Sequence, residues 1–88
     1  MAPRLILLGT SACTLCDQAE ALARPLAEAF GWRLELCDIV DDDNLLADYG
    51  ERIPVLKRSD LDAELCWPFD ARDVQRLVSE ARDGGEQG

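Results

Sequence analysis

The chain has 88 residues, 48% of them hydrophobic, with a net charge of −9, four cysteines and no histidine. That length holds one domain with one modest core, and the acidic balance repels phosphate backbones and anionic headgroups, which sets aside nucleic acid and membrane surfaces as partners. Without histidine there is no Cys/His zinc pattern and no Cys-His or Ser-His catalytic pair.

Arg4 to Leu8 is an apolar stretch between Pro3 and Gly9, which suits a central strand covered on both faces. Leu5 to Leu8 is too short for a signal-peptide core or a membrane span, so a cytoplasmic location is expected. Gly9 to Ala12 reads as a turn. From about Cys13 to Phe30, apolar residues recur at Ala19, Leu22, Leu26 and Phe30. This is the spacing of one helix face, with Pro25 as an internal kink and Gly31 as the stop. Trp32 to Ile39 alternates as a second strand, with Leu34 and Leu36 on one face, Arg33, Glu35 and Cys37 on the other, and Trp32 in the core. Asp41, Asp42 and Asp43 cap a short helix that runs to Tyr49 and ends at Gly50. Three consecutive side chains in a cap cannot all converge on one ion, so the acidic run is structural.

Val55 to Lys57 forms a third strand, Arg58 to Asp62 a polar turn and Ala63 to Trp67 a fourth strand, which together make a hairpin. Pro68 breaks that strand. Asp70 and Asp73 resemble a capping box opening a last helix whose apolar face is Val74, Leu77, Val78 and Ala81. Residues 1–82 are expected to form the domain, and residues 83–88 a disordered polar tail. The order strand, helix, strand, helix, hairpin, helix is an α/β pattern, and the right-handed crossover rule makes the first two strands parallel neighbours.

Cys13 and Cys16 form a CxxC pair where a buried strand gives way to a helix N-terminus. Without a leader sequence such a pair reads as redox-active or metal-binding, not as a structural staple. Unpaired amides, the positive end of the helix dipole and the neighbouring thiol all favour a thiolate there. Cys13, at the first turn, is the candidate nucleophile. Cys16, one turn in and facing the core, is placed to resolve a mixed disulfide. Thr14 and Leu15 set the local dielectric, and Asp17 partly opposes thiolate formation. In Arg52-Ile53-Pro54-Val55 a proline opens a strand. Its natural use is a cis bond that leaves the preceding backbone free to pair with an extended chain, so Ile53 would offer that backbone and Arg52 a local positive charge.

A CxxC between strand and helix, followed by an Ile53-Pro54 that starts a hairpin, resembles the thioredoxin and glutaredoxin superfamily over nearly the whole chain. Tyr49 to Leu56 looks like the thioredoxin stretch ahead of its cis-proline, while the short length and absent N-terminal strand look like glutaredoxin. The resemblance implies an α/β thioredoxin fold, a minimal glutaredoxin-like βαβαββα with a four-stranded mixed sheet in the order 2-1-3-4 and the first and last helices on one face. It further implies a thiol-disulfide oxidoreductase acting on protein or low-molecular-weight disulfides, with Cys13 attacking and Cys16 resolving. Thr14, Leu15, Arg52, Ile53, Pro54, Trp67 and Asp70 would border the substrate. Glutathione or a reductase would recycle a monomeric protein that carries no metal and no cofactor beyond its redox-active disulfide.

This chain departs from the family pattern at several positions. Leu15 stands where glutaredoxins usually carry an aromatic residue, and Gly9 to Ala12 lacks their basic residue. Trp67-Pro68-Phe69-Asp70 replaces their Gly-Gly and Asp segment, so only Asp70 matches, and the bulky residues oppose close approach of glutathione. Thr14-Leu15 also replaces the thioredoxin Gly-Pro. A zinc site would have to recruit Cys37 and Cys66, which the implied sheet order puts on opposite edge strands, three spacings of about 4.8 Å apart. That is roughly twice the separation a disulfide tolerates, so both are expected to be packed as small hydrophobes. Trp67 and Phe69 could form a lip beside the site, but sealing the sheet end against the last helix is the expected role. The rival reading is a non-catalytic thioredoxin-fold binding module for a protein partner. Iron-sulfur handling is a third, though it usually goes with a single active-site cysteine.

Overall fold

In the computed structural model, which describes residues 4–11, 13–61 and 63–79, the first apolar run becomes a central strand, β1 (Leu5–Gly9). Its alternating side chains serve two cores at once. Leu5 and Leu7 point to one face of the sheet, where they meet Ala19, Ala23, Val74 and Leu77, and Leu8 points to the other, where it meets Ile39, Tyr49 and Val55. Two buried faces explain why the run is apolar without interruption.

Helix α1 (Thr14–Ala29) follows, then β2 (Leu34–Asp38), a single 3-10 turn (Ile39–Asp41), α2 (Asp43–Tyr49), β3 (Val55–Arg58), β4 (Glu64–Cys66) and α3 (Ala71–Ser79). The sheet has the expected order β2-β1-β3-β4, with β1 and β2 parallel and β3 antiparallel to both β1 and β4. Helices α1 and α3 share one core cluster on one face, and α2 packs on the opposite face through Tyr49. Among the described residues no helix is long and apolar enough to cross a membrane. The proposed tail and Ala81 of the last helix lie outside the described residues.

Capping follows the acidic residues closely. The Asp42 carboxylate accepts the amides of Asn44 and Leu45 at 2.9 and 3.2 Å and so starts α2. Asp70 and Asp73 exchange side-chain to backbone hydrogen bonds at 2.9 and 3.1 Å, the reciprocal arrangement of a capping box. Gly50 ends α2 in right-handed geometry; a Cβ there would come within 2.6 Å of the Leu46 carbonyl oxygen. Gly31 does adopt a positive φ of 83° just past α1, as a helix stop requires.

Several expectations need correction. The stripe of α1 that faces the core is Cys16, Ala19, Ala23 and Ala27, with Leu22 and Leu26 at its margins and Phe30 left 47% exposed. Small residues on the stripe let the helix sit close to the sheet. As expected of an internal proline that does not end the helix, α1 continues through Pro25. Proline cannot donate to the Ala21 carbonyl, but both residues are exposed, so water can satisfy that carbonyl. Cys66 is exposed at the outer end of its row on the edge strand β4, not packed.

The largest departure concerns Arg58, read from sequence as part of a polar turn. It is the last residue of β3 and only 2% exposed. Its guanidinium grips Asp60 with two hydrogen bonds of 2.9 and 2.6 Å, donates to the Leu77 carbonyl at 2.7 Å and lies over the Trp32 ring. The Trp32 indole donates to the Val78 carbonyl at 3.0 Å. Arg58 at the end of β3 and Trp32 in the loop before β2 therefore satisfy consecutive carbonyls at the end of α3, where a cation also suits the helix dipole.

Candidate active site

Sheet register collects the candidate residues at one end. Gly9 pairs with Asp38, and Leu8 pairs with Val55. Pro54 lies one residue beyond Val55 and accepts the Trp67 amide at 3.0 Å. Asp38 and Gly9, which end β2 and β1, thus lie at the same end of the sheet as Pro54 and Trp67, which flank β3 and β4, and the turn after Gly9 leads to Cys13.

Cys13 is the N-cap of α1: it has extended backbone angles, and its Sγ accepts the Cys16 amide at 3.1 Å. It is half-buried, whereas Cys16 is 7% exposed and belongs to the core-facing stripe. The two sulfurs therefore differ in access, the outer one capping the helix and the inner one packed behind it. Thr14 and Leu15 are exposed on the helix's first turn.

Gly9 explains how Cys16 reaches its position. A Cβ on Gly9 would lie 2.8 Å from the Cys16 Sγ and 3.2 Å from its Cβ, so the inner thiol occupies the space that any other residue would fill. Gly9→Ala is therefore expected to cost roughly 1–3 kcal/mol through overpacking, read as a lower urea midpoint of the reduced protein. An unchanged midpoint would show that Cys16 can move away freely.

Burial pushes the Cys16 thiol up to about 11, aided by its hydrogen bond to Cys13 and by the charges of Cys13 and Asp17, while the Thr10 amide pulls the other way. Linkage fixes the sign of the pH effect. A raised value in the folded chain favours folding below the ordinary thiol value of about 9, and that contribution is lost as pH rises from there through about 11. Stability is expected to fall over that interval, and to fall less in Cys16→Ala, when denaturation is followed at stepped pH.

Around this pair the other candidates divide. Pro54 is fully buried, and the Ile53–Pro54 and Trp67–Pro68 peptides are both cis. The Ile53 amide donates to the Tyr49 carbonyl at 3.1 Å, so that half of its backbone is already engaged. Arg52 does not carry an unpaired charge to the site. Its guanidinium lies over the Tyr49 ring, donates to the Asp48 carbonyl and pairs with Glu64 at 3.7 Å. Phe69 is buried in the core, with the half-buried Trp67 edge-on to it at 5.1 Å, which matches a sealing role. Asp70 is exposed, and one carboxylate oxygen is occupied by the Asp73 amide.

Cys37 and Cys66 pair with Leu8 and Val55 in one row and end it on opposite edge strands, three spacings of about 4.8 Å apart. No group of three metal-ligating side chains occurs among the described residues. Sequence reasoning missed a cavity of about 280 Å³ beside Cys16, lined by residues that include Leu7, Gly9, Thr10, Leu36 and Asp38. Its only sequence signal was the glycine ending β1, because the cavity depends on which strand lies beside which.

Comparison with known proteins agrees with this geometry. A family profile described as Glutaredoxin-like domain (DUF836) matches residues 4–79. The chain is similar to XcR50 from X. campestris, a Northeast Structural Genomics target. Against its X-ray structure, identity is 38% and the TM-score 0.70, covering 84% of this chain and 93% of that one. Against its solution structure the values are 36%, 0.71, 91% and 99%. The solution structure of Ne2328 from Nitrosomonas europaea is 32% identical with a TM-score of 0.68, covering 84% of this chain and 87% of that one. No curated protein matches the chain.

Proposed function

The chain belongs to the glutaredoxin-like domain family, and on that premise we propose that it is a dithiol oxidoreductase acting on protein or low-molecular-weight disulfides. The observation that carries this reading is the asymmetry of the pair: Cys13, the more exposed of the two, caps the helix with its sulfur, and Cys16 waits behind it with a protonated thiol.

The Cys13 thiolate attacks one sulfur of a substrate disulfide. The S–S bond breaks, one substrate thiolate leaves, and a mixed disulfide with Cys13 remains. Cys16 then attacks the Cys13 sulfur, its proton passing to the departing second thiolate, so the substrate gains two electrons and the protein holds a disulfide. The raised value of Cys16 suits this order of events. Two of the causes that raise it, the hydrogen bond and the charge from Cys13, vanish once Cys13 is bonded to substrate, while the Thr10 amide remains. Deprotonation of Cys16 becomes easier when its turn comes.

Ile53, Pro54, Thr14 and Leu15 border the substrate in this reading, with Ile53 offering its carbonyl. A thiol of the glutathione pool or a reductase returns the pair to the dithiol. We place the protein in the cytoplasm as a monomer, where such thiols keep a CxxC pair cycling. The net charge of −9 disfavours nucleic acid and anionic membrane as partners.

The test is a redox titration in stepped thiol-disulfide buffers, quenched by alkylation and read by peptide mass. The expected result is a reversible two-electron transition confined to Cys13 and Cys16, with a midpoint between roughly −270 and −200 mV. A pair that never closes, or closes only with Cys37 or Cys66, would overturn the reading in favour of a non-catalytic binding module.

A further inference from the structure

The cavity beside Cys16 combines an apolar floor with an acidic rim. Leu7 and Leu36 face it from adjacent strands, and Leu36 is 57% exposed although it shares the sheet face that α1 covers further along. Asp17 and Glu20 line it from α1 and Asp38 from the end of β2. Among the described residues that line it there is no lysine or arginine. Arg24 pairs with Glu20 at 2.7 Å from one turn further along the helix, and Asp38 accepts the Val40 amide at 3.0 Å with one oxygen. Both carboxylates are thereby held in place, and Asp38 keeps an oxygen free of that bond.

We propose that this cavity is a specificity pocket for polypeptide substrates, taking an apolar side chain on Leu7 and Leu36 and a neighbouring Lys or Arg among Asp17, Glu20 and Asp38. The proposal rests on the oxidoreductase reading and names its substrate class. About 280 Å³ is at the small end for ligand pockets, roughly 300–1,000 Å³, and suits side chains better than a whole cofactor. Its lining includes Cys16, so a segment seated there lies beside the inner thiol of the pair. Charge decides between substrates. A basic segment meets opposite charge on the rim, whereas glutathione, a net anion, meets its own sign at short range on a protein whose wider field also repels it.

The test uses two cysteine-free probes, acetyl-Lys-Leu-Lys-amide and acetyl-Glu-Leu-Glu-amide, titrated into the full ¹⁵N-labelled chain. The basic peptide is expected to shift the backbone amides of Thr10, Leu36, Cys37 and Asp38, and the acidic one to leave them unmoved. Glu20→Gln with Asp38→Asn should weaken binding of the basic peptide by about threefold or more, the scale of exposed charge pairs, and Leu36→Asn should weaken binding of the same peptide. Equal responses to both peptides, or no shifts at millimolar concentration, would overturn the pocket. Because the probes carry no thiol, the two readings fail separately. Binding in a chain whose pair fails the redox titration upholds the pocket and sinks the oxidoreductase. A chain that passes the titration while these amides stay still does the reverse.

Discussion

Cys13→Ser is expected to reduce turnover of a disulfide substrate to background, whereas Cys16→Ser should still attack once and then stop. The difference follows from position. Cys13, the more exposed of the two, holds its sulfur at the helix cap, and a serine hydroxyl there can accept the Cys16 amide but is no nucleophile toward sulfur at neutral pH. Cys16 is 7% exposed and behind the cap, so a substrate disulfide meets Cys13 first. Incubating Cys16→Ser with substrate should therefore accumulate a mixed disulfide on Cys13, seen by intact mass and released by a reducing agent. Full activity in Cys13→Ser, or an adduct on Cys37 or Cys66, would reverse the assignment.

Arg58→Ala is expected to destabilise the chain by roughly 3–5 kcal/mol, because removing one partner of a buried ion pair takes the countercharge from the other. Asp60 is 7% exposed at its side chain and would lose both guanidinium bonds, and the Leu77 carbonyl would lose its donor. Small domains hold only about 5–15 kcal/mol in total, so a loss of this size takes a large share. Arg58→Lys should recover only part of it, since an ammonium neither makes the two-pronged bond nor stacks flat on Trp32. Replacing both partners, Arg58→Met with Asp60→Leu, should cost far less than the single change. Urea denaturation of the reduced proteins reads all three. A single alanine change costing under about 1 kcal/mol would show that the clasp does not hold α3.

The fold was legible because its signals are local. The apolar run at β1, the helical spacing from Cys13, the acidic caps at Asp42 and Asp70 and the prolines flanking the hairpin each act within a few residues. Their order restricts topology to few choices. The CxxC pair was legible for the same reason: a helix N-terminus can be located from spacing. What escaped depends on partners distant in sequence. Arg58 looks like a turn residue until Asp60, Trp32 and the end of α3 are brought around it. Leu36 has the alternation of a buried strand residue but sits where α1 leaves a gap. Arg52 looked like free charge at the site until Glu64 and the Tyr49 ring claimed it. Gly9 looked like punctuation, although its missing side chain makes room for a sulfur seven positions later in the chain.

The clasp around Arg58 and the thiol pair occupy opposite ends of β1, since Leu5 pairs with Arg58 while Gly9 leads into the CxxC turn. Four residue steps of about 3.3 Å put them roughly 13 Å apart, beyond the range at which substitutions usually interact. Changes at the two ends should then combine additively. A lineage, or an engineer, can therefore raise or lower heat tolerance at the clasp while the thiol pair at the far end of the strand keeps its redox behaviour.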